Sequence, residues 1–253
     1  MTQPLASPTP PPRSDELVCD DGEPMETARH RQQMVVLIES LEHAWQHRDD
    51  FYVGGNMFLY FSETQARHND FRGPDVFVVM NTDRRERRAW VVWEENGQVP
   101  DVVIELLSDK TEHIDRGEKM QVYARLRVGE YFLFDPFSSV FEGYELDVLH
   151  GQYTNKTPND RGWLRCERLG LYLTPARSSL WKVAAPWLRW LDDRGRVLPM
   201  PSESAEAEAQ RADAEAQRAD AEAQRADAEA QRADTEAERA NRLAVEVEAL
   251  KRR

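Results

Sequence analysis

Only two cysteines, Cys19 and Cys166, occur in 253 residues. They have no metal-site spacing. With so few thiols and no export signal, a reducing cytoplasm is the expected setting. No run of about 18 apolar residues and no charged-apolar-small leader is present, so neither a membrane span nor a secretory signal is expected. Positive charge is also scarce. A formal net charge of −13, from 46 acids and 33 bases, argues against a broadly basic nucleic-acid surface. The deficit is spread along the chain: the tail from Glu203 holds 14 acids and 9 bases, the remainder 32 and 24. Contact with DNA would therefore depend on local basic segments such as RRERR at 84–88, which reads equally well as a solvated loop.

What is present divides into three parts. Residues 1–14, MTQPLASPTPPPRS, are Pro-rich and unable to bury apolar surface, so a disordered arm is expected there. Residues 15–200 can form one ordinary core. From 201 to 253 the unit AEAQRAD recurs, placing Ala209, Ala216, Ala223 and Ala230 at heptad position a, with Ala212, Ala219, Ala226 and Ala233 at d. Alanine and the i,i+3 and i,i+4 acid–Arg pairs favour a long single helix. An all-alanine seam buries little area, so a solvated helix is the simpler reading; a coiled coil joining a homodimer or a helix partner is the other.

Residues 15–200 read as α/β or α+β. ELVCDDGEPME suggests a strand or hairpin turning at Asp21-Gly22. From Thr27 to about Arg48, Met34, Leu37, Ile38, Leu41 and Trp45 form one helical stripe. FYVGGNMFLYF, PDVFVVM, RAWVVWEE and PDVVIELL read as strands, then a helix from about Thr111 to Val128 that Gly129 would end, then the strands EYFLFD and VFEGYELDVL.

Within that pattern one residue is out of place. PDVVIELLS, Pro100 to Ser108, is apolar with strand character, yet carries Glu105 on the same face as Val103 and Leu107. A buried carboxylate needs a partner. Asp75 stands at the mouth of the run GPDVFVVM, and Lys119 lies four residues after Asp115 and four before Tyr123, on one helix face. Two strand carboxylates suit Mg²⁺, which prefers one or two carboxylates with water and substrate phosphate, and a lysine can offset charge developing on a phosphate. Each residue also has a structural explanation. Asp75 and Asp101 follow prolines in turn-like pairs, Glu105 could form a buried salt bridge to Lys119, and Lys119 could be a surface residue bridged to Asp115. Tyr123 reads as a packing residue, the tryptophans Trp181, Trp187 and Trp190 could stack bases but read more simply as core or subunit packing, and His30 is given no catalytic role.

Residues 16–199 resemble the Uma-type family of bacterial restriction endonucleases, a branch of the PD-(D/E)XK nuclease superfamily. The resemblance rests on DGE at 21–23, His30, GPDV at 73–76, PDVVIELLS at 100–108, Lys119 with Tyr123, VGEYFLFDP at 128–136, RLGLYL at 168–173 and LRWLDDRGRVLP at 188–199. It implies a restriction-endonuclease-like mixed sheet flanked by helices. It further implies a Mg²⁺-dependent endonuclease, with Mn²⁺ as the alternative ion, hydrolysing DNA phosphodiester bonds. By position, Asp75 and Glu105 would hold the metal and Lys119 would complete the catalytic set. One departure stands out: Leu107 occupies the place of the superfamily's usual lysine, which makes Lys119 on the next helix its candidate replacement. RNA as substrate is not separated from DNA by these residues. A non-catalytic nuclease-fold scaffold, recruiting a partner through the heptad helix, is the competing reading.

Overall fold

The computed structural model describes residues 11–18, 27–67 and 73–251. The hairpin expected at 16–26 lies mostly outside them; Glu16 and Leu17 are in turn and bend conformation. Two compact units are present, Met1–Pro201 and Ser202–Arg253.

In the first unit, helix α1 (Ala28–Ala44) begins where Thr27 caps it, the Thr27 hydroxyl accepting from the His30 amide. It ends four residues before Arg48. Among the described residues eleven strands follow in chain order: β1 (Phe51–Gly54), β2 (Leu59–Tyr60), β3 (Val76–Met80), β4 (Trp90–Val91), β5 (Val102–Leu106), β6 (Glu130–Phe134), β7 (Phe141–Asp147), β8 (Gln152–Asn155), β9 (Leu164–Cys166), β10 (Leu171–Leu180) and β11 (Val183–Leu191). A short helix α2 (Glu63–Arg67) follows β2. Between β5 and β6 come α3 (Glu112–Ile114), a π-helical turn (Asp115–Lys119) and α4 (Met120–Leu126).

The main sheet is mixed, in the order β1-β3-β5-β6-β7-β8; β5 and β6 run parallel and the other neighbours antiparallel. A parallel pair needs a crossover, which the α3–α4 segment supplies. Strand alternation sends Val102, Ile104 and Leu106 into a core shared with α1 and the β9–β11 sheet, where Leu37, Leu41, Leu173 and Trp190 are buried. Val103 and Leu107 face the other way, against Tyr123, Tyr131 and Trp90. Glu105 belongs to this second face.

Several elements differ from the sequence expectations. Gly129 does not end the crossover helix: Arg127, at φ 64°, takes the left-handed cap, and Gly129 lies beyond it. Residues 11–14 of the Pro-rich arm are tied to the core, since Pro12 O accepts from Trp93 Nε1 at 3.0 Å and the Ser14 amide donates to Glu94 at 2.9 Å. RRERR is not a free basic patch. Arg87 is buried in an ion pair with Glu95 at 2.8 Å, Arg85 bridges Asp83 and Glu95, and Arg84 meets Glu42 at 3.4 Å.

The described part of the second unit lies within α5 (Pro201–Lys251), a 51-residue helix about 76 Å long at 1.5 Å per residue. The described alanines of its heptads are exposed, as are Leu243, Val245 and Val247. Among the described residues no helix is long and apolar enough to cross a membrane.

Candidate active site

Asp75 stands one residue before β3 and Glu105 is the fourth residue of β5, its neighbour in the sheet. The two acids are tied together through the backbone: the Asp75 amide donates to Glu105 Oε2 at 3.3 Å, and the Leu106 amide donates to Asp75 Oδ2 at 2.7 Å. Antiparallel pairing of Val76 with Ile104 fixes this register, so a slip of one residue would carry Glu105 to the opposite face. Gly55 permits the approach of β1 to this corner. A Cβ there would lie 2.6 Å from Asp75 O and 2.7 Å from Ile38 Cδ1.

The crossover helix supplies the remaining groups. Lys119 Nζ lies 3.0 Å from Glu105 Oε2 and 2.9 Å from Asp115 Oδ1. Lys119 therefore reaches back from the helix to the sheet carboxylate. The Tyr123 hydroxyl donates to Glu105 Oε1 at 2.9 Å, and the Tyr131 hydroxyl donates to Asp115 O, also at 2.9 Å. The π turn widens the helix at Asp115–Lys119, where Asp115 is buried and Lys119 mostly so. Asp115, at 1% exposure, is buried like Glu105, whereas Asp75 is half-buried.

Glu105 and Asp115 share one ammonium, and the half-buried Asp75 stands beside Glu105, which leaves an excess of negative charge. Burial pushes Glu105 up to about 8 despite the opposing pull of Lys119, with Asp75 and Asp115 adding to the rise. Burial likewise raises Asp75, against Lys119 and the Leu106 amide. For Lys119, burial favours loss of the proton, but Glu105, Asp115 and Asp75 together outweigh it and hold the ammonium well above its ordinary value. Tyr123 is raised by burial and by Glu105, so its hydroxyl stays a donor.

His30, at the start of α1, turns its Nε2 to Leu107 O at 3.1 Å, two residues past Glu105, and its Nδ1 to the Thr27 hydroxyl at 2.8 Å. It lines a cavity of about 330 Å³ together with Thr27, Ser108, Lys110, Asp135 and Phe137. Asp101 does not join the acids; its Oδ2 accepts from the Met80 amide at 2.7 Å, which locks β3 against the start of β5. Trp187 and Trp190 are buried, while Trp181 is 47% exposed. DGE at 21–23 lies outside the described residues.

Hard oxygen donors beside an uncompensated negative charge fit a divalent cation of the Mg²⁺ kind. Among the described residues no group of three or more His, Cys, Asp or Glu side chains is arranged to ligate a metal, so the fit is to a site of two carboxylates that water and a phosphate would complete.

A family model, Uma2, described as "Putative restriction endonuclease", matches residues 10–174. Among solved structures, one titled as a putative nuclease belonging to DUF820 from Anabaena variabilis is similar at 12% identity and a TM-score of 0.42, over 59% of this chain and 80% of that one. No curated protein matches.

Proposed function

Since the chain belongs to the Uma2 restriction endonuclease family, we propose that it is a metal-dependent endonuclease hydrolysing phosphodiester bonds of DNA. The observation carrying this reading is the convergence of Asp75, Glu105 and Lys119 from two strands and the crossover helix. Asp75 and Glu105 would hold a Mg²⁺ or Mn²⁺ ion, which when bound supplies a water of lowered pKa and neutralises charge on the scissile phosphate. Lys119 remains an ammonium, so it acts by charge, stabilising the negative charge that builds on the phosphate rather than accepting the water's proton. Tyr123 positions Glu105 by donating to Oε1, leaving the Oε2 side toward Asp75 and Lys119. The cavity beside His30 offers space where the chain continues past Glu105.

Plasmid nicking with Mg²⁺ or Mn²⁺ tests this, comparing the native chain with Asp75→Ala, Glu105→Ala and Lys119→Met, and with an RNA substrate in parallel. Cleavage that is lost in all three variants supports it. Equal cleavage by all four proteins, or none by the native chain over a range of DNAs, sinks the enzyme reading, and preference for the RNA moves the substrate class.

A second reading is a non-catalytic scaffold whose tail recruits a helix partner or a second copy. It is favoured by Leu243, Val245 and Val247, exposed on α5 by 54%, 71% and 49%. A chain truncated after Pro201 that keeps the native oligomeric state removes this reading.

A further inference from the structure

Where the β10–β11 hairpin meets the N-terminal turn of α1, three polar atoms are buried without a partner among the described residues. They are Nη1 of Arg29, Nε1 of Trp187 and Oγ of Ser178. Arg29 is 9% exposed and Trp187 fully buried. The Arg29 guanidinium lies 3.4 Å from the Trp187 ring centroid and its Nη2 donates to Pro186 O, but among the described residues no carboxylate pairs with it. Ser178 sits opposite Ala185 and Trp187 opposite Ala176, so strand alternation puts Ser178 and Trp187 on the same face as the stacked arginine.

A buried cation lacking an anion is costly. Burial alone shifts Arg29, downward, as expected of a charge lacking a counterion. What this cluster needs is a compact group with several acceptor oxygens, since it offers a guanidinium N–H, an indole N–H and a hydroxyl. A phosphate has that form, and arginine suits phosphate in particular. Two further features agree. The cluster adjoins the N-terminal turn of the 17-residue α1, whose dipole favours an anion. From Arg168 to Leu191 there is no acidic residue but four basic ones, in a chain of net charge −13.

We propose that Arg29, Trp187 and Ser178 form a binding site for one backbone phosphate of a nucleic acid. Arg29 precedes His30, which reaches Leu107 O, so the bound phosphate would anchor the strand on the α1 side of the carboxylates. Naming nucleic acid as the source of the phosphate rests on the nuclease reading; the demand for an anion does not. The exposed Lys182 at the hairpin tip extends the basic edge, where Trp181 and Lys182 hold left-handed backbone at φ 49° and 64°.

The test uses the full chain in EDTA, so that binding is read without cleavage. Affinity for a short labelled DNA duplex is measured over a range of salt for the native protein, Arg29→Met, Arg29→Lys and Ser178→Ala. Arg29→Met should weaken binding about tenfold and reduce the log K against log salt slope by about 1. It should also leave the Tm unchanged or higher, because an uncompensated buried charge is removed. Arg29→Lys, which keeps charge but not the fork, and Ser178→Ala should each weaken binding about threefold. Inorganic phosphate alone should raise the Tm of the native chain but not of Arg29→Met. A lower Tm with unchanged DNA affinity in Arg29→Met would make the residue structural and overturn the proposal, as would a native chain that binds neither probe. A response to inorganic phosphate without any effect of Arg29 on DNA binding would overturn the nucleic-acid assignment. An Arg29 effect on DNA that persists although no nuclease activity is found would leave this site standing while the nuclease reading fails.

Discussion

Two glutamates are buried in adjacent parallel strands, Glu105 in β5 and Glu130 in β6, and they are treated in opposite ways. Glu130 has a full set of donors. Lys156 Nζ lies 2.8 Å away, the Glu167 and Arg168 amides donate at 3.0 and 2.9 Å, and the Cys166 thiol donates at 3.1 Å. Glu105 has one lysine, which it shares with Asp115, together with a tyrosine hydroxyl and the amide of another acid. Burial alone therefore does not mark a site. One carboxylate is a knot fastening β9 and the loop holding Lys156 to the sheet, whereas the other sits where negative charge has been collected.

Substitution should separate the two most sharply. Glu105→Gln is expected to lower cleavage by about 10³-fold, the rate equivalent of roughly 4 kcal/mol, while leaving the urea midpoint unchanged or raised. Glu130→Ala should do the reverse to stability. It leaves Lys156 with only the exposed Glu145, at 3.4 Å, and should cost about 3 kcal/mol, read as a lower urea midpoint at constant slope. Loss of stability from Glu105→Gln as large as that from Glu130→Ala would erase the contrast.

Next in size is the corner that holds Asp75. Gly55→Ala forces a Cβ against Asp75 O and Ile38, so the aspartate must shift relative to Glu105. A displacement of about 1 Å in a catalytic group costs roughly 10²-fold in rate, so nicking activity should fall by about that factor. Far-UV circular dichroism should remain native. Unchanged activity would mean that the Asp75–Glu105 geometry is not what the reaction needs.

The chain made part of this arrangement readable and hid the rest. Glu105 was visible because an acid inside VVIELL breaks a strand pattern, and Asp75 because GPDV precedes a second such run. Lys119 was readable through its spacing to Asp115 and Tyr123. The burial of Asp115 is not legible, because i,i+4 pairing to lysine is ordinary on exposed helices and a five-residue π turn leaves no periodicity to detect. The Arg87–Glu95 pair and the Arg29–Trp187 stack join residues that no local pattern links, so RRERR looked free and Arg29 unremarkable. The β9–β11 sheet escaped assignment because β10 and β11 mix Pro, Ser and Arg into their alternation. Arg127 took the helix cap from Gly129, since a left-handed residue was needed two positions earlier.

Proton linkage gives a smaller effect with a definite sign. Glu105 is held at about 8, above its ordinary 4.5, and Asp75 is also raised, so the metal-free folded state binds these protons more tightly than the unfolded chain. Their contribution is full below the unfolded values and is lost as pH rises toward 8. Lys119 is raised as well, but its contribution changes only above its ordinary 10.5, outside this window. In EDTA the urea midpoint should therefore decline between about pH 5 and 8, and Glu105→Gln should flatten much of that slope. A midpoint independent of pH in the native chain would show that the excess negative charge around Glu105 is relieved some other way.

The finest distinction concerns how far Glu130 is saturated. Cys166 is fully buried, and burial with the nearby Glu130 charge pushes its thiol well above the ordinary value, so it stays protonated and donates its S–H. Cys166→Ala removes one of four donors and leaves Lys156 and two backbone amides in place. A thiol is a weak donor, so the loss should be about 1 kcal/mol in urea unfolding, with nicking activity unaltered. Cys166→Ser, which restores a hydroxyl donor in a slightly smaller volume, should recover part of it. A loss near that of Glu130→Ala would mean that the thiol, not the lysine and amides, holds Glu130 in place, and the contrast with Glu105 would then rest on one sulfur rather than on a full shell of donors.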